Sequence, residues 1–592
     1  MNNSSIKAFS QFLHYSKKWR PKILLATFYS IINKLFDIAP EILIGFAVDL
    51  VVKKQSSFIA SMGFVDPKSQ LALLGVCTFL IWAFESLFQY MYSITWRNIA
   101  QSVEHEIRLD AYQHVQSLDM QWYDKQKIGN ISAILNDDVN QLERFLDNGA
   151  NEIIQIIVST VSIGAIFFYI SPLVAFASIL PVPIILLIAM FFQKNLSPRY
   201  SAVRDSVGLM NSTIFNNLLG IMTIKSFTAE KIEANRVKKF SNDYREKNNS
   251  AILLSSAFIP VVRMGVLSGF LATMIIGGFL ALSNSIEVGT FSVLVFLTQR
   301  FLWPFTRLGE TIDLFARSMA STKRILNLIN TPLKISDIDT SIEVEDLKGN
   351  ILFNDISFGY SDKENVFNNL NLKINDGDFV GIVGKTGIGK TTLIKLLLRF
   401  YEPKSGKILI GENNISELKI NSLRSHIGLV SQEIFLFDGT IKENMIYPLS
   451  DVSDSILNNV SSLSQAKEFI DNLPMGYDTL IGERGIRLSV GQKQRISIAR
   501  ALIKNPSILI FDEATSSVDN KTEHLIQKAL NEISKDRTTL VIAHRLSTIR
   551  NADQILVIDD GKLIEYGTHE VLLSENGIYK YLWDLQSGKL DN

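Results

Sequence analysis

Along the first half of the chain, apolar residues gather into long blocks. They run approximately over 23–50, 70–96, 152–170, 172–193, 252–282 and 290–312. Each is close to the roughly 20 apolar residues that a helix needs to cross a bilayer. The pattern therefore predicts six membrane-spanning helices. Two long polar stretches with helical periodicity, 97–151 and 194–251, separate the second block from the third and the fourth from the fifth. If each is a helical hairpin, an arm of about 25 residues reaches roughly 37 Å beyond the membrane. Gln121-Trp122-Tyr123-Asp124, ahead of Gly129, marks the tip of one hairpin, and residues near Asn211 to Asn217 mark the other. Lys and Arg crowd the N-terminus and both polar stretches, which places them on the cytoplasmic side. Residues 1–22, ending in Lys17, Lys18, Arg20 and Lys22, read as a cytoplasmic elbow rather than a cleavable leader.

Spanning stops near Phe315, and 316–345 reads as a polar connector. From 346 to 592 the period changes to short apolar runs alternating with helical segments, the pattern of an α/β domain. The expected organisation is thus an elbow (1–22), an all-α membrane domain of six helices (23–315), a linker (316–345) and an α/β domain (346–592).

Composition agrees with this division. Apolar residues make up 47% of 592 residues, and the formal net charge is zero, which gives no electrostatic case for a nucleic-acid partner. The single cysteine, Cys77, excludes an intrachain disulfide. Asp37, Glu41, Asp49, Glu85, Arg263 and Arg300 fall inside apolar blocks. Charge in hydrocarbon is costly, so these should face the bundle interior or water, as helix–helix ion pairs or as substrate contacts. Arg263 and Arg300, the more central, could attract an anionic headgroup. Pro260 and Pro304 should kink or interrupt their helices.

The chemistry concentrates in the second half. Phe379 to Val383 is a short apolar run, followed by Gly384-Lys385-Thr386-Gly387-Ile388-Gly389-Lys390-Thr391-Thr392 and then helical spacing. A glycine-rich turn between strand and helix presents backbone N–H groups and the positive end of a helix dipole to one spot, which suits phosphate. The spacing matches the phosphate loop of nucleotide triphosphatases: Lys390 for the β and γ phosphates, and the Thr391 hydroxyl for Mg²⁺. Ile508 to Phe511 reads as a buried strand delivering Asp512 and Glu513 beside that loop. Asp512 would hold Mg²⁺ through water, and Glu513 would act as general base on the attacking water. His544, after the apolar run Thr539–Ala543, could orient that water, and Tyr360 could stack on a purine.

Leu488-Ser489-Val490-Gly491-Gln492, followed by Lys493-Gln494-Arg495, resembles the signature of ATP-binding cassette proteins. Gln432 in Val-Ser-Gln, the acid pair 512–513, Ser517-Val518-Asp519 and His544 agree in order and spacing. The chain as a whole is similar to an exporter-type half-transporter. That resemblance implies ATP and Mg²⁺, and a second subunit whose signature covers each ATP. It assigns Ser489, Gly491 and Gln492 to the partner's nucleotide, and gives Gln432 a catalytic, Mg²⁺-linked and coupling role. It makes residues around Tyr123-Asp124 and 211–217 coupling helices, touched by a segment like Gly482-Glu483-Arg484-Gly485. The expected activity is ATP-driven export or leaflet flipping of a lipophilic or amphipathic substrate, in a bacterial inner membrane. The alternatives are a non-transporting regulator or channel on the same scaffold, or one half of a heterodimer. Val490 departs from the usual glycine of the signature, and Thr386 from the more common serine of the loop.

Overall fold

The computed structural model describes residues 3–54, 57–361, 364–512, 520–535, 537–543 and 545–587. It falls into two compact units, one comprising 1–116 and 128–331, the other 117–127 and 332–592.

The first unit is helical throughout. Five stretches, Pro67–Ser117, Ile128–Ile170, Pro172–Leu219, Glu230–Leu282 and Val288–Ile329, are long and apolar enough to cross a membrane. The earlier helix Arg20–Lys53, shorter at 34 residues, is also long enough to cross, but Lys34, Asp37, Glu41 and Asp49 interrupt its apolar run. The longest helices, of 51 and 53 residues, extend for about 77–80 Å, well beyond a hydrocarbon core of about 30 Å.

The elbow is an amphipathic helix, Asn3–Tyr15. Its apolar face buries Ala8 and Phe12 in a cluster with Trp19, Trp96, Ile99 and Met319. Phe9 meets Phe315 edge-on at 5.7 Å. This packing explains a difference from the sequence reading. Residues 316–329, expected as connector, finish the helix Leu308–Ile329, because Met319, Ile325 and Leu326 have apolar partners.

Pro304 does interrupt its helix: a 3₁₀ turn, Trp303–Thr306, follows Val288–Leu302. Pro260 lies inside the uninterrupted helix Glu230–Leu282. The second hairpin tip is also displaced. Asn211–Asn217 are still helical, and the chain turns at Gly220, whose N–H donates to Asn216 O at 2.8 Å, before the short helix Ile221–Ser226. The asparagines are tolerated on an exposed helical surface, and the helix stops at Gly220, at φ −89° and ψ 18°.

The second unit is built on a six-stranded sheet. In spatial order its strands are Lys562–Gly567, Gln554–Asp559, Phe379–Val383, Thr538–Ile542, Ile508–Asp512 and Ile427–Val430. All are parallel except the first, an antiparallel edge. The three central strands are buried at every position, as expected of a parallel sheet covered on both faces. A second, antiparallel sheet contains Phe367–Ile374, Ile351–Phe358, Ser405–Ile410 and Asn413–Asn414. One core joins this sheet to the helix Lys390–Leu397, and another joins the large sheet to the helix Val490–Leu502. Parallel strands deliver their carboxyl ends to one edge, the usual place for a ligand in such sheets.

Candidate nucleotide site

At that edge the strand Phe379–Val383 ends and the chain turns through Gly384–Gly389 into the helix Lys390–Leu397. The helix begins at Lys390, three residues earlier than the periodicity suggests. Glycine is required at two points of the turn. Gly389 has φ 104°, and a Cβ there would come within 2.5 Å of Val366 Cγ1. A Cβ on Gly384 would sit 2.3 Å from Ile558 O. Lys390 is 6% exposed. Its ammonium donates to the carbonyls of Gly384 at 2.7 Å and Lys385 at 3.0 Å, which holds the charge inside the loop. Ile388 tucks against the core beneath, while Lys385, Thr386 and Gly387 form the exposed rim.

Asp512 ends the neighbouring buried strand and is itself 5% exposed. Thr391 Oγ1 donates to Asp512 Oδ1 at 3.3 Å, joining the loop to the strand tip. Gln432 follows the next strand over, whose Val430 is in register with Phe511, and so emerges at the same edge with an exposed side chain. A hydroxyl, a carboxylate and an amide are hard oxygen donors, the set Mg²⁺ prefers.

Tyr360 lies beside this group. Its hydroxyl is 3.0 Å from Thr392 Oγ1, and its ring, 39% exposed, packs edge-on against Tyr401 at 5.2 Å. Glu513, His544, Ser517, Val518 and Asp519 lie outside the described residues.

The signature opens the helix Val490–Leu502 with a capping box. Ser489 Oγ accepts from Gln492 N at 3.2 Å, and Gln492 Oε1 accepts from Ser489 N at 2.9 Å. The box organises a helix N-terminus and leaves the Ser489 O–H able to donate outward. Leu488 and Gly491 are buried, whereas Val490 is 51% exposed, so the departure at Val490 alters a surface and not a core. Arg484, in the segment ahead of the signature, has φ 51°, and its carbonyl accepts from Lys493 Nζ at 3.0 Å.

One contact was not read from the sequence. Ser117–Lys127 groups with this unit, and Asp124 accepts a hydrogen bond from the Tyr401 hydroxyl. Lys334 Nζ donates to Gln121 Oε1 at 2.9 Å in the same segment. Tyr401 is 4% exposed. Burial, reinforced by the Asp124 carboxylate, raises its phenol pKa, so it remains a donor. Tyr360, Tyr401 and Asp124 thus form a continuous chain of contacts. Tyr401→Phe is expected to remove a charge-assisted bond of about 1.5–3 kcal/mol. Hydrogen exchange over 117–127 should then rise by about tenfold or more; unchanged exchange would show that the bond anchors nothing.

The comparisons with known proteins agree with this geometry. The family model for the ABC transporter transmembrane region matches residues 23–305, and that for the ABC transporter matches 367–516. YknU and YwjA of Bacillus subtilis, both named uncharacterized ABC transporter ATP-binding proteins, are 34% and 32% identical. Their alignments cover 97% and 98% of this chain and 95% and 99% of theirs. The chain belongs to the ABC transporter family.

Another Bacillus subtilis relative of this ABC transporter, YgaD, provisionally named a multidrug export ATP-binding/permease protein, is 30% identical over 98% of this chain and 99% of its own. The solved structure of a bacterial Atm1-family ABC exporter with ATP bound is similar at a TM-score of 0.83 and 26% identity, over 96% of this chain and 98% of that one. This ABC transporter is a multi-pass membrane protein with an exporter fold, and its nucleotide domain is an ATPase coupled to transport.

Proposed function

We propose that two such chains form an exporter that moves a lipophilic or amphipathic substrate out of the cytoplasm, or between leaflets, by alternating access. The observation that carries this reading is the Lys390–Thr391–Asp512 constellation at one sheet edge, in a chain whose other half is membrane helix. One chain supplies one phosphate loop and one signature. An ATP held by the loop leaves its γ-phosphate open on one side, and the N-terminus of a second chain's signature helix can cover it. Ser489 would donate to that phosphate, and Gly491 would let the backbone approach. Thr391, Asp512 and Gln432 would hold Mg²⁺, which when bound supplies charge neutralisation at the phosphates. Tyr360 would stack on the adenine. Glu513 would accept a proton from the attacking water, and His544 would orient that water.

Closure of the ATP-bound pair has a route to the membrane. The segment 117–127 sits in the nucleotide-binding unit and is continuous in sequence with the helices on either side. The second tip leaves Met222 and Phe227 exposed at 81% and 76%. Apolar groups so placed favour docking on the nucleotide domain of the other subunit. The basic N-terminus and polar arms orient both toward the cytoplasm. The bacterial relatives support a bacterial plasma membrane as its location.

The test is reconstitution in liposomes with a panel of cargoes, reading ATP hydrolysis and transport together. In the same preparation Ser489→Ala should reduce hydrolysis by about tenfold or more through the lost donor. The missing cap should also destabilise the signature helix by about 1 kcal/mol. Equal hydrolysis by the variant, or by an isolated subunit, would overturn the shared-site reading.

A further inference from the structure

The helix Arg20–Lys53 carries charge at mid-length. Asp37 lies about 25 Å along the axis from either end at 1.5 Å per residue. Here Arg300 bridges two carboxylates, Nε to Glu41 Oε1 at 2.6 Å and Nη1 to Asp37 Oδ1 at 2.7 Å. Lys34 Nζ also meets Asp37, at 2.7 Å. These pairs revise the sequence expectation for Arg300. Its charge is neutralised by its neighbours and does not stand ready for an anionic headgroup. Arg263 takes part in none of these pairs; its guanidinium is 5.9 Å from the Trp303 ring centroid.

What remains at the cluster is negative. Glu85, half-buried on the helix Pro67–Ser117, is within electrostatic range of Asp37, Arg300, Lys34 and Glu41. Among the described residues its carboxylate makes no hydrogen bond or ion pair. Three carboxylates face two cations, leaving one formal negative charge. Glu41 is 8% exposed, and its second oxygen, Oε2, is sealed from solvent without a hydrogen-bond partner. Arg300 compensates that carboxylate through its other oxygen, so Asp37 and Glu41 are committed to Arg300 and Lys34 and the excess charge rests on Glu85. The walls are aromatic. Phe36, adjacent to Asp37, stacks on Phe84 at 5.6 Å and on Phe88 at 6.0 Å, the residues one before and three after Glu85 on its helix. Tyr29 continues the row, 6.1 Å from Phe88. The Glu85 carbonyl accepts from Asn33 Nδ2 at 2.9 Å, which fixes the two helices against each other.

We propose that Glu85, beside the Asp37–Glu41–Arg300–Lys34 cluster and with the aromatic row Tyr29–Phe36–Phe84–Phe88, forms the subsite for the positive group of a lipophilic organic cation. Ring faces attract a cation and solvate its apolar body, while the excess carboxylate supplies charge where hydrocarbon cannot. The cluster carries no excess positive charge, so it selects against anions of the same shape. The proposal rests on the exporter reading and names its substrate class.

The test is equilibrium dialysis of the full chain in lipid nanodiscs against tetraphenylphosphonium and its anionic isostere tetraphenylborate. The cation should bind saturably, and the borate at least about tenfold more weakly. Glu85→Gln should weaken phosphonium binding by about tenfold or more, while Glu85→Asp, which keeps the charge, should retain most of it. Equal affinity for the two ions, unchanged binding in Glu85→Gln, or equal loss in both variants would overturn the subsite. ATP hydrolysis by the parental sample separates the two claims. A sample that hydrolyses ATP but shows no saturable phosphonium binding defeats only the subsite; one that binds the cation but hydrolyses nothing supports the subsite and defeats the exporter reading.

Discussion

Lys390→Ala is expected to lower ATP hydrolysis at saturating Mg-ATP by about 100-fold or more, the scale for removing one preorganised positive group from a transferring phosphoryl. The ammonium is already in place. It is buried to 6% exposure and held by two carbonyls of its own loop, so its charge needs little reorganisation to serve the phosphates. The substitution leaves those carbonyls without that donor, at a local cost of about 1–3 kcal/mol. Most of the loop is held by other features, including Ile388 against the core and the glycine turns. The variant should therefore fold. Gly389→Ala would be a poor substitute test, because its Cβ at φ 104° collides with Val366 and confuses loss of fold with loss of chemistry. Phosphate release and ATP binding should be measured on the same sample, and both should fall. Hydrolysis above about a tenth of the parental rate would mean that the Lys390 ammonium does not stabilise the transferring phosphoryl.

Local chemistry made the loop, strand end and helix cap of the candidate nucleotide site legible in the sequence. A left-handed glycine, a run of five buried residues ending in an acid, and a serine three residues before a glutamine each leave a mark within a few positions. Contacts between distant residues leave no such mark. Tyr401 looks like any tyrosine in Arg399-Phe400-Tyr401-Glu402-Pro403, yet its partner Asp124 is 277 residues away. Arg300, Asp37 and Glu41 stood out as charges in apolar blocks. Their pairing spans 259 and 263 residues, so nothing in either segment alone announced it. The end of the membrane domain was misjudged for the same reason. Residues 316–329 look polar in isolation, but the unit's buried clusters accept their apolar face. The second hairpin tip failed differently. A cluster of asparagines resembles a turn, but the helix continued to the glycine.

Glu513→Gln should separate binding from chemistry. Glu513 follows Asp512, which ends a buried strand and meets Thr391 at the phosphate loop. If it is the general base, the amide variant loses proton acceptance while keeping nearly the same shape and hydrogen-bonding reach. Turnover should drop by about 10²–10⁴-fold. ATP binding should persist, because Lys390, Thr391 and the loop are untouched. With closure intact and cleavage blocked, the two subunits should remain clasped around unhydrolysed ATP. The full chain in nanodiscs should then retain labelled ATP through desalting, whereas Lys390→Ala should release it. Closure that depends on both subunits adds a further requirement. Introducing Ser489→Ala into the Glu513→Gln chain should shorten ATP retention, because the partner's donor to the γ-phosphate is gone. Near-parental turnover in Glu513→Gln would mean that another group activates the water. Retention indifferent to Ser489 would mean that a single chain closes its own site.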